Sequence, residues 1–317
     1  ETFERGHAVG VVLHLAACRE IGFERRIDQR HVVTGIAQHA FERDQALAGE
    51  VVGEVRMLGV DGVAKRAARG QRHPVEDFLF TYYSHRPGRL RRWSPGAGVV
   101  LQDHPVAPPL VAHPDGAVLG PPTERVRRTA GFVADLLART ADRPAQLGCF
   151  GLHEWAMTYR GERRHEDWPL RLGQDGTDAV VDDLGLRCSH HDAFRFFTPS
   201  ARPLNVLQPT REGQADLEQP GCLHANMDLY KWAYKLAPWV PSELVADCFD
   251  LARRVRVLDM QASPYDLSEL GLQAVPVETP QGRAEYAERQ AAFAAEAALL
   301  RERVRRLADA LARTCSC

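Results

Sequence analysis

Four polar side chains recur along one predicted helix, in the run EQPGCLHANMDLYKWAYKL between Glu218 and Leu236. Their spacings are four, three and four residues: His224, Asp228, Lys231 and Lys235. Such spacings place all four in one narrow stripe of an α-helix. The rest of the run is mostly apolar, which is typical of a buried helix. Because buried ionisable groups gather at functional sites, the stripe predicts a pocket. The alternative interpretation is an ordinary solvated face.

Two further polar clusters lie elsewhere in the chain. His153 and Glu154 are neighbours in CFGLHEWAMTYRGE, and the run from His190 to Asp192 precedes several phenylalanines. Histidine and carboxylate ligands from separate elements of a helical protein can bind a non-haem iron or a pair of metal ions. Under this hypothesis the cofactor is Fe or Zn. The metal-ligating histidines are His153, His191 and His224, and the carboxylates are Glu154, Asp192 and Asp228.

A second hypothesis is hydrolysis without a cofactor. Asp192 or Asp228 would activate water or stabilise a sugar cation, and Lys231 would contact DNA or the sugar. The catalytic set is Asp192, Asp228, Lys231 and Glu154. Four aromatic side chains would bind a flipped base: Trp155, Tyr159, Tyr230 and Trp232. In a third chemistry, burial lowers the pKa of Lys231 so that its amine forms a Schiff base.

The composition is that of a soluble globular protein. The chain has 317 residues, 44% of them hydrophobic and 26% charged, with a formal net charge of -2. This balance gives no general attraction to nucleic acid or to an anionic membrane, although a local basic patch would suffice for DNA. Seven cysteines, an odd number, argue against a secreted disulfide framework. Without an apolar run of transmembrane length or a signal peptide, we expect a cytoplasmic protein.

The chain divides near residue 72. Residues 1–72 contain no Pro, Trp, Tyr or Asn and no sustained helical or strand period. We interpret them as an N-terminal extension translated from a wrong start, or else as a small helical addition. Residues 73–317 form the predicted catalytic domain, a mainly α, single helical domain with a long irregular insertion near 161–220.

Capping residues place the main helices of this domain. Thr123 and Ser242 are predicted N-caps, and a long helix is predicted from Thr279 to about Arg313. The outer face of this last helix is rich in Arg and Glu. That face is predicted to be solvated or to form a homodimer contact.

Four runs of the sequence carry a resemblance to a known family: HPVEDFLFTYYSHRPGRLRRWSPG, GCFGLHEWAMTYR, HHDAFRFFTP and EQPGCLHANMDLYKWAYKLAP. Over about residues 73–293 the chain resembles actinobacterial proteins commonly named 3-methyladenine DNA glycosylase. The resemblance implies a base-excision repair hydrolase that removes alkylated purines from DNA. The His/carboxylate metalloenzyme remains the alternative, and a non-catalytic binding protein is the third hypothesis.

Overall fold

The computed structural model describes residues 11–12, 66, 69–71, 73–90, 92–161 and 168–314. Apart from the few positions just named, the predicted extension over residues 1–72 lies outside the described residues. The architecture is mainly α, as predicted. The described residues form ten α-helices: α1 Phe78–Tyr82, α2 Pro87–Leu90, α3 Glu124–Ala141, α4 Leu152–Ala156, α5 Gly173–Leu184, α6 His191–Phe194, α7 Gln214–Leu217, α8 Leu223–Lys235, α9 Ser242–Gln261 and α10 Pro280–Arg313. Two short 3-10 helices span Arg202–Leu204 and Ser268–Leu270.

One of the two predicted caps is present, and a further cap stands at the predicted start of the last helix. The Thr123 hydroxyl accepts a hydrogen bond from the backbone N–H of Val126 and begins α3. The Thr279 hydroxyl accepts one from Gly282 and begins α10, which is 34 residues long. The predicted cap at Ser242 is wrong, because Ser242 is the first helical residue of α9. Its hydroxyl oxygen instead accepts a hydrogen bond of 2.7 Å from the backbone N–H of Ser94, in a preceding loop.

A small antiparallel sheet lies beside the helices. Its strands are β1 Val11–Val12, β2 Val100–Leu101, β3 Leu110–His113 and β4 Gly116–Leu119, in the order β1-β2-β4-β3. The hairpin of β3 and β4 lies in a segment that is rich in Pro and Gly. Gly116 has a φ of +145°, and a Cβ there would lie 2.3 Å from the carbonyl oxygen of Leu101. Only glycine therefore permits this close strand pairing.

Helix α8 is the centre of the helical layer. It packs against α9 and α10, while α3 lies along α10. Its first eleven residues, from Leu223 to Ala233, are all buried. Because α8 is apolar on nearly every side, burial among other helices is the arrangement expected for it. The polar stripe of α8 therefore faces the protein interior along most of its length.

The segment from residue 161 to 220 contains more helix than its sequence predicts. Helix α5 has 12 residues, and α6 and α7 are single turns. Gly173 and Gly176 lie within α5, where they occupy the first turn and do not break the middle of the helix. Among the described helices, none is both long and apolar enough to cross a lipid bilayer. The homodimer contact through α10 stays a prediction.

Candidate functional site

The stripe of α8 divides into a buried part and an exposed end. His224, Asp228 and Lys231 are buried, whereas Lys235 is exposed. The Nζ atom of Lys231 lies 2.5 Å from Asp228 Oδ2 and 3.0 Å from Asp192 Oδ2. Asp192, predicted from a distant part of the sequence, thus meets the stripe at its partly exposed edge.

Asp228 belongs to a group of three buried ligand-type side chains: His190, Glu218 and Asp228, hereafter the acidic triad. His190 Nε2 lies 3.2 Å from Glu218 Oε1 and 3.4 Å from Asp228 Oδ2. His190 directly precedes α6, and Glu218 directly follows α7. The three potential ligand atoms lie within 4.8 Å of one another, a spacing that one metal ion can bridge.

A second buried group consists of His153, His224 and Asp259, hereafter the histidine-rich triad. His153 comes from α4, His224 from α8 and Asp259 from α9. His153 Nε2 lies 2.7 Å from Asp259 Oδ1, and the rings of His153 and His224 are 4.3 Å apart between centroids. The ring of His224 also stacks on His190 at 5.4 Å, so the two triads are direct neighbours.

The histidines of the triads are close to carboxylates without making aligned hydrogen bonds to them. His153 Nε2, Asp259 Oδ1 and both ring nitrogens of His190 are buried and have no hydrogen-bond partner with acceptable geometry. Buried polar atoms without partners are rare in folded proteins and costly. The short distances bring ligand-type nitrogen and oxygen atoms close enough to share one bound ion.

The pKa values of the neighbouring His190 and His224 are shifted in opposite directions. Burial by itself would lower the pKa of His190, but the carboxylates of Asp228 and Glu218 raise that pKa to about 9. Burial lowers the pKa of His224 well below its usual value, and the neighbouring His153 adds to this effect. His224 is therefore a neutral imidazole, the form that binds a metal.

Basic side chains hold the two aspartates of the triads in the ionised form. Burial would raise the pKa of Asp228, but Lys231 and His190 keep it below its usual range. Burial would likewise raise the pKa of Asp259, and His153 and Arg256 lower it. Both carboxylates are thus ready to coordinate a cation.

Arg256 links the histidine-rich triad to Glu154. Its Nη1 atom lies 2.8 Å from Glu154 Oε1 and 2.5 Å from Asp259 Oδ2, with all three side chains buried. Its guanidinium also lies over the ring of Phe78, 3.8 Å from the centroid. Glu154 thus contacts the triad through Arg256 and is not one of its three ligand-type residues.

The other predicted site residues have varied positions. His191 lies outside both triads, and its Nδ1 is 3.2 Å from the carbonyl oxygen of Pro209. Its neighbour His190 points into the acidic triad instead. A hollow of about 50 Å³ brings together three predicted residues, Glu154, Asp192 and His224.

The aromatic side chains predicted to bind a base are all buried. Trp155 and Tyr230 have no exposed surface, Tyr159 is 2% exposed and Trp232 is 5% exposed. The Trp155 indole donates to the carbonyl oxygen of Ala262, and the Tyr159 hydroxyl donates to Asp182. Their positions favour a packing role.

The sequence patterns do not predict three residues of the site: Glu218 and Asp259 of the triads, and Arg256 beside them. Asp259 and Arg256 lie three residues apart on the buried side of α9, among Val255 and Leu258. An acid and a base at this spacing within an apolar helix face are the signal that could have identified them.

A cavity of about 500 Å³ adjoins the histidine-rich triad. Both His153 and His224 form part of its wall, together with mostly apolar side chains. Its volume is within the range of small-molecule pockets. The histidine-rich triad is therefore placed beside a space that a ligand can occupy.

Comparisons of this chain with protein-family models, with curated proteins and with solved structures found no match. The resemblance to the glycosylase family is therefore still a prediction from the sequence, and the arguments about function rest on the geometry of the site.

Proposed function

We propose that the chain is a metal-dependent enzyme in which the two triads bind divalent cations. The observation that carries this proposal is a set of buried atoms without a hydrogen-bond partner: both ring nitrogens of His190, His153 Nε2 and Asp259 Oδ1. A bound cation would satisfy these atoms together, because it accepts lone pairs from nitrogen and oxygen at once.

The two carboxylates of the acidic triad differ in their basic neighbours, because Lys231 pairs with Asp228 and not with Glu218. Within the described part of the chain, the Glu218 carboxylate has no ion pair with a lysine or arginine, and its ion-pair contact is His190. Arg301 is buried nearby, but its guanidinium donates to the amide oxygen of Asn226. An ion pair of protonated His190 with Glu218 is the competing explanation, and it predicts no bound metal.

The ligand types indicate which metals suit the histidine-rich triad. Its two histidines and one carboxylate, with the remaining coordination positions open, form a ligand set that is used for Fe(II) in non-haem enzymes and is also suitable for Zn(II). Such an ion would supply Lewis acidity or an activated oxygen ligand at the cavity wall. The protein's own contribution is to orient the ligands: Arg256 fixes Asp259, and Lys231 fixes Asp228.

Metal analysis tests the proposal. We expect purified protein, or metal-free protein titrated with Fe(II) or Zn(II), to bind up to two ions per chain. Asp259→Asn should remove one site, His190→Gln the other, and His113→Gln on the β-hairpin should remove neither. If the wild-type protein binds no more metal than the double variant Asp259→Asn/His190→Gln, the proposed function is wrong.

The DNA glycosylase remains a second hypothesis, supported by the family resemblance and by the Asp192–Lys231 pair at the edge of the site. A base-release assay on methylated DNA tests it. We expect release that Asp192→Asn abolishes and that weakens with salt, as phosphate contacts require. A full complement of bound metal with no base release would contradict this hypothesis and leave the metalloenzyme. The absence of both metal binding and base release would favour the non-catalytic binding protein.

A further inference from the structure

The cavity of about 500 Å³ beside the histidine-rich triad has a wall that is both basic and apolar. Among the described residues of this wall there is no Asp or Glu, but there are two arginines, Arg187 and Arg283. Most of the other lining side chains are apolar, and Leu152, Leu186 and Phe197 are buried there. Positive charge beside apolar surface is complementary to an anion that has an apolar body.

Arg283 differs from most of the other arginines of α10. The arginines that pair with a carboxylate are Arg289, Arg303, Arg305, Arg306 and Arg313. Within the described part of the chain, Arg283 has no carboxylate partner, and its Nη1 donates a hydrogen bond of 3.0 Å to the carbonyl oxygen of Val277. This bond orients the half-buried guanidinium, while its other N–H groups have no acceptor among the described residues. An oriented guanidinium with N–H groups to spare is suited to binding a carboxylate.

Arg187 brings a second positive charge to the same cavity. It lies in the loop between α5 and α6 and is exposed. Among the described residues it also has no carboxylate partner. Because solvent and salt screen an exposed charge, Arg187 attracts an anion more weakly than the half-buried Arg283 does. Arg283 is therefore the main anchor for an anionic group.

The volume of the cavity limits the size of the ligand, and its position determines what the ligand contacts. A space of about 500 Å³ holds about fifteen non-hydrogen atoms, if each takes the roughly 30 Å³ that a water molecule takes in the liquid. His153 and His224 of the histidine-rich triad border the same space as Arg283. A ligand that fills the cavity therefore contacts both the arginine and the triad.

We propose that this cavity binds the substrate of the metalloenzyme, and that the substrate is a small organic carboxylate with an apolar body. The carboxylate accepts hydrogen bonds from the guanidinium of Arg283, and the apolar body packs against Leu152, Leu186 and Phe197. The role as a substrate rests on the proposed function, because it requires a metal at the histidine-rich triad. Binding of the carboxylate depends only on the cavity and does not require the metal.

Isothermal titration calorimetry of the metal-free protein with octanoate and octanamide tests the carboxylate site. The two probes have the same apolar chain, and only octanoate is charged. We expect the wild-type chain to bind octanoate at least about tenfold more tightly than octanamide, because hydrogen bonds to a charged group are the stronger ones. Acetate, which lacks the apolar chain, should bind at least about a hundredfold more weakly than octanoate.

Substitutions of arginine identify the anchor. Arg283→Met should abolish most of the preference for octanoate and leave the affinity for octanamide unchanged, which also shows that the cavity of the variant is folded. Arg283→Lys keeps the charge and should retain part of the preference. Arg187→Met should weaken octanoate binding by only about two- to threefold. Arg289→Met is the matched control, because Arg289 lies on the same helix, outside the cavity lining, and pairs with Glu285.

The role as a substrate is tested on protein loaded with Co(II), a coloured substitute for Zn(II). Octanoate should change the visible absorption of the bound Co(II), and this change should be absent in Asp259→Asn. An unchanged spectrum with octanoate bound would place the ligand away from the histidine-rich triad and overturn its role as the substrate.

The remaining outcomes separate this proposal from the proposed function. Equal affinities of the wild-type chain for octanoate and octanamide, or equal losses of octanoate binding in Arg283→Met and Arg289→Met, would overturn the carboxylate site even if metal binds. If the chain binds no metal but still prefers octanoate through Arg283, the proposed function and the substrate role fail, and the carboxylate site stands.

Discussion

The acidic triad and the histidine-rich triad touch through the rings of His190 and His224, yet their surroundings differ. In the acidic triad, Asp228 is held by Lys231 on one oxygen and by the Tyr83 hydroxyl, at 2.8 Å, on the other. This triad is closed in by other polar side chains. In the histidine-rich triad, by contrast, both histidines border the large cavity.

Because of this difference, we expect the two triads to have separate roles. The acidic triad contains buried charged groups, and these must be paired with opposite charges for the fold to be stable. The histidine-rich triad is accessible to a ligand, because Arg256 lies on one side of it and the cavity of about 500 Å³ lies on the other. We therefore expect substitutions in the acidic triad to affect stability most, and substitutions around the histidine-rich triad to alter the response to metal.

The largest expected effect is that of Asp228→Ala. This change leaves Lys231 and His190 buried with one carboxylate fewer and removes the acceptor of the Tyr83 hydroxyl. We expect the free energy of unfolding to fall by about 3–5 kcal/mol, the usual cost of an uncompensated buried charge. Urea unfolding of the metal-free protein measures it.

Asp216→Ala provides the matched control for that substitution. Asp216 pairs with Arg139 at 2.8 Å, but both side chains are largely exposed. Its loss should cost less than about 1 kcal/mol, because solvent screens the pair. Equal losses in the two variants would show that the acidic triad does not carry the stability assigned to it.

The sequence predicts those site residues whose positions follow from spacing within a single helix. The stripe of His224, Asp228 and Lys231 follows from spacing within one helix, so it could be identified before the structure. Which of His190 and His191 points inward depends on how the chain enters the single turn of α6. Adjacent residues there point in different directions, and no sequence period fixes which one faces the interior.

The remaining ligands depend on contacts between distant segments. Asp259 meets His153 across 106 positions of the chain. Such convergence is set by the tertiary fold, which local propensity does not encode.

Arg256→Met should cause the next largest loss in the free energy of unfolding. The size of this loss should depend on whether metal is bound. The change leaves the buried carboxylates of Glu154 and Asp259 without their shared guanidinium. We expect a loss of about 3 kcal/mol in the metal-free protein. A bound cation can replace the missing positive charge, so saturating metal should restore a large part of this loss.

Arg254→Met on the same helix is the control for Arg256→Met. Arg254 pairs with Asp250 and Glu296, all of them partly exposed. Its loss should be small and independent of metal. If added metal stabilises the two variants to the same extent, Arg256 does not compensate the charge of the histidine-rich triad.

Removal of metal from the wild-type protein should lower the free energy of unfolding by a smaller amount. A ligand at 100 times its dissociation constant stabilises the folded state by about 2.7 kcal/mol. Addition of a chelator should remove this amount, as measured by the shift of the urea midpoint at constant slope. In Asp259→Asn the shift should shrink, and a shift of undiminished size would place the metal outside the histidine-rich triad.

The smallest expected effect concerns a buried histidine that faces no carboxylate. The ring of His85 stacks on Tyr234 at 4.3 Å, and burial together with the nearby Arg89 lowers its pKa to about 4. Because this pKa is below the unfolded value of about 6.5, protonation favours the unfolded chain. The stability contributed by neutral His85 is complete above pH 6.5 and is lost as the pH falls toward 4.

His85→Phe keeps the stacked ring and removes the titration. Because His85 is only partly shielded from solvent, we expect wild-type stability to fall by about 2 kcal/mol more than that of the variant between pH 7 and pH 4.5. Urea unfolding at both pH values measures the difference. Parallel pH profiles for wild type and His85→Phe would mean that His85 binds its proton as readily in the folded chain as in the unfolded chain. Burial would then not lower the pKa of a histidine in this protein, and the explanation given for the lowered pKa of His224 would lose its physical basis.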